Sequence, residues 1–227
     1  MPSAGVILDL KPPVITEQSP SGTVNDLIPY VGAVLADTVL STGAPSGICG
    51  EITTMKVNGS EVNFVRDEIS GEVRWVDPAT DLPALLDNGA GYTAVLEGGD
   101  RAHYKTSAAW TFTVSVPGTD HSAPSVADKV PSGYTAEPVP EISCRVFDNQ
   151  SGIDLGSIVL KLDGAVVVSS AVISGQWNAR EQRVFYRPES AFENYSSHTV
   201  EVTASHWAND PADKITSVES WSFNVAY

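Results

Sequence analysis

The chain of 227 residues sets 28 acidic against 13 basic side chains, a formal charge of -15, with 42% hydrophobic and 18% charged residues. That composition is globular, neither disordered nor membrane-like, and long enough for two self-sufficient domains of roughly 100 residues each. The negative balance repels a phosphate backbone, which excludes nucleic acid as an expected partner, and no run of about 18 apolar residues is present for membrane insertion.

The N-terminal stretch Met1-Pro-Ser-Ala-Gly-Val-Ile-Leu-Asp-Leu10 has a short apolar run interrupted by Asp9 and no basic segment before it, so it does not read as a secretory signal. If Met1 is the natural start, the expectation is a protein that stays in the cell of synthesis or leaves it by another route. After this stretch the chain repeats itself. Pro20-Ser-Gly22 recurs as Pro131-Ser-Gly133, and Trp110-Thr-Phe-Thr-Val114 as Trp221-Ser-Phe-Asn-Val225, both at an offset of 111. Asp37 answers Asp148 at the same offset, while Ser46-Gly-Ile48 and Lys56-Val-Asn-Gly59 answer Ser151-Gly-Ile153 and Lys161-Leu-Asp-Gly164 at 105. Anchors in a fixed order with small gaps are what a duplicated domain with loop insertions produces.

The expected organisation is an N-terminal arm at residues 1–11 with no counterpart in the second copy, a first domain at 12–116, a linker at 117–122 rich in proline and glycine, and a second domain at 123–227. Within each copy the signals are those of strands. Asn58-Gly59 and Asp163-Gly164 sit between alternating β-branched runs, the pattern of a tight hairpin turn that needs positive φ. In Trp221-Ser-Phe-Asn-Val225, period-two alternation puts Trp221, Phe223 and Val225 on one apolar face, which predicts core anchors here and at Trp110. A helical turn is expected at Pro83-Ala-Leu-Leu-Asp87 and its twin at Pro188-Glu-Ser-Ala-Phe192. Short strands, frequent turns and about 105 residues per copy predict an all-β chain of two tandem immunoglobulin-like β-sandwiches, seven strands each. Cys49 and Cys144 then fall in different domains at non-equivalent positions, which excludes a disulfide within a domain.

The Pro-rich opening Pro12-Pro-Val-Ile15, the Pro-Ser-Gly motif, Asp148-x-x-Ser-Gly-Ile-Asp154, Lys-Leu-Asp-Gly164, His-Thr-Val200 and the closing Trp-x-Phe-x-Val together resemble bacterial immunoglobulin-like domains. Such disulfide-free modules occur in bacterial surface proteins and in tailed-phage virion proteins, and the resemblance implies a spacer, adhesive or decorating role. The chain departs from the family pattern in a late loop, which reads His206-Trp-Ala-Asn-Asp210 in one copy and Gly98-Gly-Asp-Arg101 in the other.

Catalytic signatures are missing. The histidines, His103, His121, His198 and His206, lie in no nucleophile elbow or zinc-helix motif; His198 takes a strand position and the others read as loop residues. Gly98-Gly99 has neither the lysine nor the helix of a phosphate loop. The chain is therefore expected not to be an enzyme and to need no cofactor. Calcium is the one metal worth weighing, with Asp148, Asn149 and Asp154, or Asp120 and Asp128, as oxygen donors, against their ordinary use in turns. Val6, Ile7, Leu8 and Leu10 of the arm are the expected interface, pairing with a sheet edge of another subunit, against the alternative that the arm continues its own first strand.

The functional expectation is a phage virion structural or decoration protein, assembled in the host cytoplasm with other structural subunits or as a homo-oligomer. One alternative is a fragment of a bacterial cell-surface adhesin or spacer. Another is a carbohydrate-binding accessory module stacking sugars on Trp75, Tyr104, Trp177, Tyr195 or Trp207.

Overall fold

In the computed structural model, residues 9, 11–37, 46–118, 120–208 and 210–227 are described. The arm residues Val6, Ile7, Leu8 and Leu10 lie outside them. The first half carries β1 (Val14–Ser19), β2 (Gly22–Val24), β3 (Gly32–Ala36), β4 (Ile48–Val57), β5 (Ser60–Glu61), β6 (Phe64–Arg66), β7 (Glu72–Trp75), β8 (Gly91–Asp100) and β9 (Lys105–Val114). The second repeats the order with β10 (Ser125–Val130), β11 (Gly133–Thr135), β12 (Ile142–Phe147), β13 (Ile153–Leu162), β14 (Ala165–Val168), β15 (Trp177–Asn178), β16 (Arg183–Tyr186), β17 (Ser197–His206) and β18 (Thr216–Val225). Two compact units result, one holding β1–β9 and the other β10–β18.

Each unit is a pair of sheets. In the first, β1-β3-β7-β6 faces β2-β9-β8-β4-β5; in the second, β10-β12-β16-β15 faces β11-β18-β17-β13-β14. This strand order, with the opening strand split so that β1 pairs antiparallel with β3 and β2 parallel with β9, is that of an immunoglobulin-like sandwich. Among the described residues, the split of the opening strand and the added short arms β5 and β14 make nine strands per unit where seven were expected.

The turn chemistry behaves as its residues require. Asn58 and Gly59 take φ of 50° and 81°, and Asp163 and Gly164 take 50° and 82°, closing the β4–β5 and β13–β14 hairpins with both central residues left-handed. The segments at 83–87 and 188–192 contain no helical turn; the 3-10 turns found are Ile173–Gly175 and Pro211–Asp213.

The inward faces of β9 and β18 bury Phe112, Val114, Phe223 and Val225 at 3% exposure or less. Burying one such side chain contributes roughly 1.5–3 kcal/mol. Trp110 and Trp221 stop short of the core. They are half-buried, and their indole Nε1 groups donate to backbone carbonyls, that of Ser19 at the end of β1 at 3.2 Å and that of Pro131 just after β10 at 3.0 Å. A buried indole N–H needs an acceptor, and here it is met by a carbonyl at or just beyond the end of the opening strand.

Gly98 and Gly99 lie within β8, where a Cβ at the first would stand 2.6 Å from the Leu35 side chain and at the second 2.2 Å from Ile52. These glycines make room for core side chains, which explains their presence without any phosphate loop.

Candidate functional site

At one end of the second sandwich, four polar residues from four strand ends meet out of solvent. Asp120 precedes β10, Asp148 follows β12, Ser151 leads into β13, and His206 closes β17; all are 8% exposed or less. Asp148 Oδ1 accepts the backbone N–H groups of Gln150 at 2.8 Å and Ser151 at 2.9 Å, an Asx turn that shapes the Ser-Gly-Ile corner. The Ser151 hydroxyl donates to Asp120 Oδ2 at 2.6 Å and lies 3.0 Å from His206 Nδ1, which in turn sits 3.3 Å from the same Asp120 oxygen. The ring's Nε2 donates to the Asp213 carbonyl at 3.1 Å. Burial works against an ionised Asp120, but hydrogen bonds from the Ser122 and Ser151 hydroxyls and the Ser122 amide, helped by His206, bring its carboxyl down to about 2.

Although the residue types are those of a hydrolase triad, the wiring is not. In a triad the acid and the nucleophile engage opposite ring nitrogens. Here Asp120 and Ser151 share Nδ1, the serine hydrogen goes to the aspartate, and Nε2 is capped by a carbonyl. With Ser151 at 2% exposure and His206 at 1%, the group is an internal tie between strand ends. His206 is thus a buried strand residue, correcting the expectation that it lies in a loop; His103 and His121 are exposed outside strands as expected.

The first sandwich builds its counterpart with different chemistry. Asp9 corresponds to Asp120 and Asp37 to Asp148 at 111, Ser46 to Ser151 at 105, and Asp100, closing β8, to His206 at 106. Asp9 Oδ2 accepts the Ser46 amide at 2.9 Å, and Asp37 Oδ2 accepts the Gly47 amide at 2.6 Å. Asp100 Oδ1 accepts the Tyr104 amide at 2.9 Å. Carboxylate oxygens of Asp9, Asp37 and Asp100 lie within 4.8 Å of one another. Hydrogen bonds from Ser46 and Lys11 hold the Asp9 carboxyl below its usual range. The repeat therefore reaches upstream of residue 12: Asp9 is joined to its own sandwich and has a counterpart, where residues 1–11 were expected to have none.

A second histidine group belongs to the second sandwich. His198 Nδ1 is 2.7 Å from Asp163 Oδ2 and its Nε2 is 2.7 Å from the Ser196 hydroxyl, which donates to the Glu193 carbonyl at 2.6 Å. Asp163 also accepts the Thr199 amide at 2.8 Å. Desolvation raises its carboxyl, but the bonds from His198 and Thr199 and the imidazole charge outweigh it and leave the group lowered. The imidazole packs with its centroid 4.0 Å from Phe192 and 5.4 Å from Phe223. Tyr92 does the same in the first sandwich, stacked 5.3 Å from Phe112. His198 thus stands where the other copy has a packing aromatic.

Of the calcium candidates read from sequence, Asp148 lies in the buried tie, Asn149 is exposed, and Asp154 pairs with Lys214 while accepting the Gly156 amide at 3.1 Å. Asp128 adopts φ of 50° in the irregular part of β10. Among the described residues, the group of three carboxylate, imidazole or thiolate donors that assembles is the one in the first sandwich. Its sequence signal is the pairing of Asp9 with Asp120 at the repeat offset of 111. The aromatics proposed as sugar platforms divide: Trp177 is 8% exposed and unavailable for stacking, Trp75 and Trp207 are half-buried, and Tyr104 and Tyr195 are exposed at 37% and 84%.

Neither a protein-family model nor a curated protein sequence matches the chain. Solved structures similar to it include the N-terminal Ig1-2 module of the Drosophila receptor protein tyrosine phosphatase DLAR, at 11% identity and a TM-score of 0.34, covering 96% of this chain and 100% of that one. A protocadherin gammaB7 EC3-6 cis-dimer structure matches at 16% identity and 0.32, over 95% of this chain and 48% of that chain. Dimeric latent PorU from Porphyromonas gingivalis matches at 14% and 0.37, over 95% and 20%. The immunoglobulin-like assignment rests on the strand order of the chain itself.

Proposed function

We propose that the chain is a non-enzymatic structural and binding protein and, more narrowly, a virion structural or decoration protein of a tailed phage. The observation that carries this reading is how each sandwich closes. Its two sheets are joined by apolar packing and an indole-to-carbonyl bond, while both cysteines are free and Cys144 is fully buried. A domain held this way needs no oxidising compartment, which suits assembly in a cytoplasm. The resemblance to bacterial immunoglobulin-like modules and the net negative charge support the same reading. Among the described residues no helix is long and apolar enough to cross a membrane.

In this reading the domains run 12–116 and 123–227 across the linker at 117–122, Asp9 is tied back to the first of them through the Ser46 amide, and Val6, Ile7, Leu8 and Leu10 dock on a neighbouring subunit. Gradient-purified particles from a host carrying the gene test it by peptide mass spectrometry. Co-sedimentation of the chain with tailed particles is expected; recovery only in the cell envelope, within a longer exported polypeptide, overturns it in favour of an adhesin or spacer. For the arm, Val6→Asp with Leu8→Asp is the informative variant, since deleting the segment also removes Asp9 from its sandwich. Loss of particle incorporation with an unchanged circular dichroism spectrum is expected, and full incorporation refutes the docking role.

A further inference from the structure

We propose that Asp9, Asp37 and Asp100 form a divalent-cation site in the first sandwich, taking a hard, oxygen-seeking ion of the calcium class. Three carboxylates with oxygens within 4.8 Å of one another concentrate acidic groups where water has limited access: Asp9 is 7% exposed, Asp37 is half-buried and Asp100 is 0% exposed. Hydrogen bonds from neighbouring amides satisfy one side of each group, the Ser46 amide on Asp9, the Gly47 amide on Asp37 and the Tyr104 amide on Asp100. Two oxygens remain. Asp100 Oδ2 and Asp37 Oδ1 are buried with no hydrogen-bond partner among the described residues. Leaving an ionised oxygen buried and unpaired is expensive, and such groups either lose their charge or find a cation.

The second sandwich shows how the same fold meets the same demand with a side chain. There His206 fills the place of Asp100, and its imidazole lies 3.3 Å from Asp120, the counterpart of Asp9. In the first sandwich that basic group is replaced by a third acid, and none of the ion pairs among the described residues reaches the trio. What the imidazole does in one copy is left to an ion in the other. The donors are all carboxylate oxygens, which suits calcium, with backbone carbonyls and water completing its six to eight ligands, and gives a softer metal no nitrogen or sulfur to prefer.

Titration calorimetry of the full chain with calcium, magnesium and manganese chlorides, after chelation and buffer exchange, tests the proposal. One ion per chain is expected, and Asp100→Asn and Asp37→Asn are each expected to weaken binding roughly tenfold or more while far-ultraviolet circular dichroism stays unchanged. Asp100→His, which copies the second sandwich, is expected to fold without the ion and to lose the binding heat. Should Asp100→Asn fail to fold, Asp37→Asn alone decides. The absence of binding to any of the three metals by the unaltered chain overturns the site. So does binding that survives in Asp37→Asn but disappears in Asp154→Asn, which would place the ion in the second sandwich.

Discussion

His206 closes β17 at the position where Asp100 closes β8, so the same strand end presents a base in one sandwich and an acid in the other. The partners around the two residues are otherwise alike, an aspartate before the first strand, an aspartate after the third, and a serine ahead of the fourth. One exchange of side chain therefore separates a self-contained tie from a cluster of three acids.

Breaking the tie is costly because each member leaves another buried and unpaired. His206→Ala is expected to destabilise the second sandwich by about 1–3 kcal/mol, the scale for leaving a buried polar group without its hydrogen-bond partner. Urea denaturation followed by the fluorescence of Trp177, in the core of that unit at 8% exposure, measures it. A loss below about 1 kcal/mol refutes the role.

Acid stability follows from Asp120. Its carboxyl, at about 2 in the folded chain, lies below its value in the unfolded chain, near 3.9. The folded state thus holds its proton less tightly, so the stabilisation is complete above about pH 4 and is lost as the pH falls towards 2. Ser151→Ala removes a hydrogen bond that lowers the group and should move acid unfolding of the second sandwich to higher pH. Circular dichroism across pH 2 to 5 reads the shift, and an unchanged acid midpoint contradicts it.

Gly98 marks a place where the two copies pack differently. Gly98→Ala drives a methyl towards Leu35, which is 0% exposed, and is expected to cost about 1–3 kcal/mol as overpacking. At the equivalent position the second sandwich already holds Ala204, and Ala204→Gly should cost less, roughly 0.5–1 kcal/mol, from backbone entropy. Thermal unfolding of the two variants gives the comparison, and equal losses would argue against the contact.

The cysteines should differ sharply in reactivity. Burial pushes the Cys144 thiol up to about 12 despite the opposing charges of Arg183 and Lys129, whereas Cys49 is half-buried. Iodoacetamide at pH 8 is expected to modify Cys49 in the native chain and Cys144 only after denaturant is added. Mass mapping of the alkylated peptides distinguishes them, and native labelling of Cys144 would show that its core opens readily.

Much of the architecture is written locally. Asn58-Gly59 and Asp163-Gly164 encode hairpin turns because few other pairs accept two left-handed residues, and the alternation around Phe112 and Phe223 encodes which face is buried. For Trp110 and Trp221, period two assigns a face but not a depth. Their half-burial goes with the backbone carbonyls of Ser19 and Pro131 that the indoles reach.

By itself the sequence determined the duplication, the β class and the turns, because all three depend on residues close together in the chain or on a spacing repeated within it. Only the tertiary structure decided what the acids and histidines do. Asp9, Asp37 and Asp100 are brought within 4.8 Å by the order of strands in the sheets, which no local pattern specifies. The same order takes His206 out of water and sets it against Asp120, turning what reads as a loop histidine into the tie that its acidic counterpart lacks.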